Sequence, residues 1–137
     1  MLDLTQKQDA HIDQRLREDL IIWLSSVRPD GRPHSVAVWF LWTGTNILIF
    51  SKPEQQKIRN LRHNPHVTLA LDNTNLGADL IVLDGTAELV DDSAISANLP
   101  DYVKKYQARL ARMRLDGPAM AALYSQAIRV TPTKFYR

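Results

Sequence analysis

Val36-Ala-Val-Trp-Phe-Leu-Trp42 runs without one charged side chain, and this stretch limits the fold more than any other. A strand with one wet face alternates apolar and polar residues, so an unbroken apolar run must be covered on both sides. Inside a small barrel one face meets the core. The other needs a helix, a second subunit or a flat ligand. The run is preceded by Arg28-Pro-Asp-Gly-Arg-Pro33, where proline presets φ and Asp-Gly accepts the left-handed conformation of a hairpin turn. Thr43-Gly-Thr-Asn46 then turns into Ile47-Leu-Ile-Phe-Ser51. Strands over 20–27, 34–42 and 47–51, joined by such turns, predict a three-stranded antiparallel meander. The fold class is mainly β with flanking helices, a sheet or barrel and not a βαβ unit.

The remaining segments fit around that sheet. Thr5 and Gln8 have the spacing of a capping box before a helix over 6–19 with Ile12, Leu16 and Leu20 on one stripe. Ser51-x-x-Glu54 repeats that spacing before a helix that buries Ile58 and Leu61 and stops at Asn64-Pro65. A strand follows with Val67, Leu69 and Leu71 on one face, then a loop over 73–77. Residues 79–90 form the longest strand, with Gly85 as a bulge. Asp91-Asp92 starts a short helix and Asn98-Leu-Pro100 a second, striped by Val103, Tyr106, Leu110 and Met113 and leaving Lys104, Lys105, Arg109 and Arg112 outside. Asp116-Gly-Pro118 breaks it before a helix over 119–125, and the chain returns as a strand over 127–131 with a tail from Pro132. The whole of 1–137 reads as one domain.

Several function classes are excluded. The net charge of +2 is too small for a general polyanion binder, so nucleic acid is not an expected partner. There is no cysteine, which removes disulfides and thiolate metal sites. His11, His34, His63 and His66 lack metal-ligand spacing, and no nucleophile elbow or phosphate-binding glycine loop is present. The polar N-terminus does not suit a signal peptide, and no run reaches the ~20 apolar residues of a membrane span, so a cytoplasmic protein without a membrane partner is expected. Chemistry here would belong to a cofactor.

A place for one lies after Ser51. From Lys52 to His63 the chain carries Lys52, Lys57, Arg59 and Arg62 against a single acid, Glu54. A helix start offers free N–H groups and a positive dipole end, and a lysine in the second turn can reach an anion held near Ser51. The residues alone leave two readings open, a phosphate pocket or a solvated basic face. Trp39, Phe40, Trp42 and Phe50 supply planar walls nearby, and a homodimer is the simplest cover for the surplus apolar surface.

The ordered set Trp23 to Trp42, Ile49-Phe-Ser51, Lys57-Ile-Arg-Asn-Leu-Arg62, Asn64 to Leu69, Gly85-Thr-Ala-Glu-Leu89 and Arg129-Val-Thr-Pro-Thr-Lys134 resembles the pyridoxamine-phosphate-oxidase-like family over nearly the whole chain. That resemblance implies a homodimeric split β-barrel that binds FMN, or the deazaflavin coenzyme F420, between subunits. By position, Phe50 and Ser51 match the strand end beside the ribityl-phosphate, Lys57 the phosphate-binding lysine, and Val36, Ala37, Val38 and Trp39 the strand along the isoalloxazine ring. The oxidases proper have an arginine where this chain has Gln56, so Lys52 or Arg59 would have to compensate. The C-terminal segment lacks the tryptophan of those oxidases. The run through Trp39-Phe40 looks most like the deazaflavin-dependent reductases. The implied function is hydride transfer between a flavin or deazaflavin and a small organic acceptor, with a non-catalytic cofactor carrier as the alternative.

Overall fold

Alternation along the strands sets one face of the sheet against a core. In β1 (Ile22–Val27) Ile22, Leu24 and Ser26 are buried while Trp23 points outward. β5 (His66–Leu71) buries Val67, Leu69 and Leu71 in the same way. This architecture is that of a computed structural model, which describes residues 1–72 and 75–137, with 92–95 described by backbone alone. The loop expected over 73–77 therefore begins outside the described residues, as does the side chain of the expected helix-starting Asp92.

β1 pairs with β2 (Pro33–Val38) from Ile22↔Val38 to Val27↔Pro33, across the predicted turn. Gly31 takes φ +88° there, and the Asp30 carboxylate accepts from the Arg32 N–H. The meander ends at this hairpin. Trp39 and Phe40 belong to no strand, and β3 (Leu41–Trp42) pairs with β4 (Ile47–Ser51) at the opposite edge of the sheet. The strand order is β2-β1-β5-β6-β7-β4-β3, antiparallel throughout, where β6 is Ile81–Val90 and β7 is Gln126–Phe135. The expected single strand over 34–42 is thus two strands joined by a bend. The bend carries the chain from one sheet edge to the other, as closing a split barrel requires.

The barrel interior holds Ile22, Leu24, Phe40, Ile47, Ile49, Leu69, Leu83 and Val130, all buried. α1 (Lys7–Glu18) adds Ile12 and Leu16, and α2 (Gln56–His63) adds Ile58 and Leu61. Neither helix uses its expected capping box. Gln6 and Gln55 are the N-caps without a side-chain cap bond; Thr5 is drawn to Asp3 and Ser51 to the Lys52 carbonyl. The second helix consequently starts later than the sequence suggests.

β4 is buried at every position. Its Ile47 and Ile49 face the barrel, whereas Leu48 and Phe50 meet Tyr102, Tyr106, Leu110 and Met120 in a second apolar cluster. That cluster is roofed by helices α3 (Asp92–Lys105), α4 (Gln107–Arg112) and α5 (Gly117–Leu123). Two helices expected over 91–113 divide elsewhere: Pro100 lies inside α3, and the break falls at Tyr106. The expected tail also continues as strand, since β7 pairs with β6 as far as Phe135. The register between them slips at Asp84/Gly85, the bulge that Gly85 suggested.

Candidate functional site

Where the barrel wall meets the helical roof there is a cavity of about 310 Å³. Its strand side comes from Ala37, Val38, Phe50 and Ser51, with Trp39 added by the bend after β2, and its floor from Lys57 on α2. These are six of the residues that the sequence singled out. The other three lie elsewhere. Val36 packs against the barrel core. Lys52 is exposed, its ammonium 5.7 Å from the centre of the Tyr124 ring. Gln56 donates to Asn60 Oδ1 at 2.7 Å and accepts from Arg59 Nη2 at 2.7 Å, while Asn60 donates on to Ser26 Oγ at 3.0 Å. Gln56 thus belongs to the network that fastens α2 to β1.

Lys57 dominates the electrostatics. It is 8% exposed, and its Nζ donates to the Gln55 side-chain carbonyl. Among the described residues no carboxylate pairs with it. Burial alone pushes its pKa below the ordinary lysine value. Because α2 begins at Gln56, Lys57 stands in the first turn, among N–H groups that have no partner within the helix. Ser51 is 1% exposed and ends β4 beside this turn. His34 feels the same positive field: burial first, then Arg28 and Lys57, lower its pKa, and its buried Nδ1 has no partner. His63 and His66 are exposed, and no metal-holding group of side chains occurs among the described residues.

Apart from Gln55, the rest of the lining is aromatic, aliphatic or thioether. Trp39 lies parallel to Tyr106, with centroids 4.4 Å apart and planes at 3°. Phe50 meets Tyr102 edge-on at 4.5 Å. Ile21, Gln55, Tyr102, Met113, Met120 and Tyr124 also line the cavity and were not anticipated. Tyr102 and Met120 lie outside the helix stripe read in the sequence and are core residues here; only the docking of α3 and α5 over β4 brings them to the cavity. Gln55 had a discoverable signal, since it falls between Ser51 and Lys57 at the helix start.

The site is thus a cationic helix start at a strand end, facing aromatic walls in a split barrel. The family model described as pyridoxamine 5'-phosphate oxidase matches residues 8–137, and the chain belongs to that family. Among solved structures it is similar to an F420 reductase, at 28% identity and TM-score 0.72, with 90% of this chain and 94% of that one covered. It is also similar to a conserved hypothetical protein from Mycobacterium tuberculosis (22% identity, TM-score 0.74, 92% and 81% covered). A third is HutZ, a heme storage protein from Vibrio cholerae (16% identity, TM-score 0.66, 96% and 94% covered). The last two share the fold. A comparison with curated proteins finds no match.

Proposed function

We propose that this protein is an oxidoreductase that uses F420 or FMN to transfer hydride to a small organic acceptor. The observation that carries the reading is Lys57. A buried ammonium without a carboxylate partner is costly to keep charged, and an arriving phosphate would relieve that cost. The α2 N–H groups would share the anion, and Ser51 would join by turning its hydroxyl away from the Lys52 carbonyl, to which it now donates at 2.9 Å. Ala37, Val38 and Trp39 would line the ring, and Phe50 with Tyr102 would keep water from it. Similarity to an F420 reductase favours the deazaflavin. The bound cofactor supplies the hydride; the chain binds, orients and dries the site. No lining side chain is set up as a general acid, so the proton would come from solvent.

Oxidation of pyridoxine phosphate fits this chain poorly. Its C-terminal residues are engaged by the body of the protein: Tyr136 donates to Asp84 at 2.6 Å and Arg137 to Asp9 at 2.7 Å. A homodimer belongs to the proposal. Trp23 is 44% exposed on the outer sheet face, in register with Ala37 and Ala70, small neighbours that leave room for a partner. A second reading, cofactor binding without turnover, rests on the same anchor and on the absence of an evident acid.

A visible spectrum of the purified protein, followed by paired titrations with FMN and F420, tests the cofactor. Saturable binding of one or both is expected; binding of neither refutes the proposal. Reduced cofactor consumed no faster with protein than without, across quinone and nitroaromatic acceptors, would favour the carrier.

A further inference from the structure

The bend between β2 and β3 leaves Phe40 without a strand neighbour, yet Phe40 is fully buried, so its N–H and C=O need other partners. Both come from the junction of α3 and α4. The Tyr106 hydroxyl accepts from the Phe40 N–H at 2.8 Å and lies 2.7 Å from the Leu20 carbonyl, the nearer of two acceptors for its proton. Lys105 Nζ donates to the Phe40 carbonyl at 2.8 Å and sits 3.7 Å from the centre of the Phe40 ring. The Tyr106 ring, 1% exposed, stacks on Trp39. Trp39 lines the cavity and Tyr106 does not, so Tyr106 backs the indole from behind.

We propose that Tyr106 is a positioning residue for the Trp39 wall of the cavity, with Lys105 as the second hold on the same bend. A two-residue link between opposite sheet edges has no ladder to fix its direction. One phenol fixes it three ways: by the amide it accepts from, by the carbonyl that ties it to the chain ahead of β1, and by the ring face against Trp39. The helical roof thereby sets the angle at which a planar ligand would meet the indole. This last step rests on the cofactor reading above; the placement of Trp39 does not.

The test removes the hydroxyl and keeps the ring. Near-ultraviolet circular dichroism of each protein, minus that of its Trp39→Phe counterpart, isolates the Trp39 signal. Tyr106→Phe is expected to reduce this signal well below its value in the parent, at a temperature where both are folded. The same variant should weaken riboflavin and FMN alike, by about tenfold, the equivalent of one lost hydrogen bond. Lys57→Ala should weaken FMN and leave riboflavin unchanged. A purely structural role would lower the thermal midpoint but leave the Trp39 signal and ring affinity intact, and that result overturns the proposal. Should Tyr106→Phe not fold, Lys105→Met retains the stack and is expected to reduce the Trp39 signal by a smaller amount; an unchanged signal there also overturns it. If the parent binds no flavin or deazaflavin, the proposed function fails, and the Trp39 signal still decides the role of Tyr106.

Discussion

Lys57 stands where a ligand-free protein gains least from it. Replacing it with methionine keeps the stem and removes a buried charge, so Lys57→Met should raise the thermal midpoint of the ligand-free protein. The same change should weaken FMN or F420 by ~1.5–3 kcal/mol, the range for a hydrogen bond to a charged group. Calorimetry without ligand and a titration with it check the two halves. Lys105 offers a second residue-scale experiment. Burial pushes its pKa down to about 8 from 10.5, with Asp19 pulling weakly the other way. Between those values the unfolded chain holds more protons than the folded one, so stability rises with pH across that window. Below about 8 both states are charged and the burial penalty is complete. Melting curves of wild type and Lys105→Met at successive pH values should therefore diverge in favour of wild type as pH rises from about 8 to 10.5. At this scale the sequence exposed Lys57 and Ser51, because a lysine and a hydroxyl after an apolar strand need no tertiary knowledge to be noticed. It concealed Tyr102 and Tyr106, whose helical spacing looks the same whether a tyrosine fills a core or backs a cavity.

Among the elements, the β6–β7 bulge gives the cleanest expectation. A Cβ on Gly85 would stand 2.6 Å from Val130 Cγ1 and 2.9 Å from the Thr131 carbonyl. Neither the packed valine nor the strand backbone can retreat far, so Gly85→Ala should destabilise by ~1–3 kcal/mol. A urea titration should show a lower midpoint with an unchanged slope. At the start of α5, the Asp116 carboxylate accepts from the Ala119 N–H at 2.8 Å, and Asp116→Ala should lose about 1 kcal/mol. Hydrogen exchange should then show faster opening of α5 than of the sheet. The bulge was legible because a lone glycine in a long strand has few other uses. The capping boxes were misread because the spacing of a hydroxyl and an amide says nothing about nearer competitors, here Asp3 for Thr5 and the Lys52 carbonyl for Ser51.

For the molecule as a whole, the exposed Trp23 predicts association. Sedimentation of wild type should give twice the monomer mass, and Trp23→Glu should move the population toward monomer while leaving the far-ultraviolet spectrum unchanged. A monomeric wild type would refute the dimer in the proposal. The all-antiparallel class could be read from turn chemistry and alternation, which are local. The strand order could not, because periodicity marks which residues are strand and not which strands meet. The clearest case is the run from Val36 to Trp42. Its uninterrupted apolar character announced two covered faces, but a change of sheet edge satisfies that demand as well as a straight strand does.

The place of β7 between β6 and β4 has a consequence for how the molecule assembles. β1, β2, β5 and β6 can pair among themselves early, all with partners fairly near in sequence. β4 has only the two-residue β3 to join until β7 is available, because its other edge pairs Ile47 with Val130 and Ser51 with Gln126. Closing that long loop is the slow kind of contact. Until it closes, the edges of β4 and β6 both lie open, and open edges recruit other chains. A chaperone that delays aggregation should thus raise the refolding yield without changing the final stability. Aromatic walls and cationic floor come together in that same closing step, so the capacity to hold a ligand should appear with the slowest folding phase and not before it.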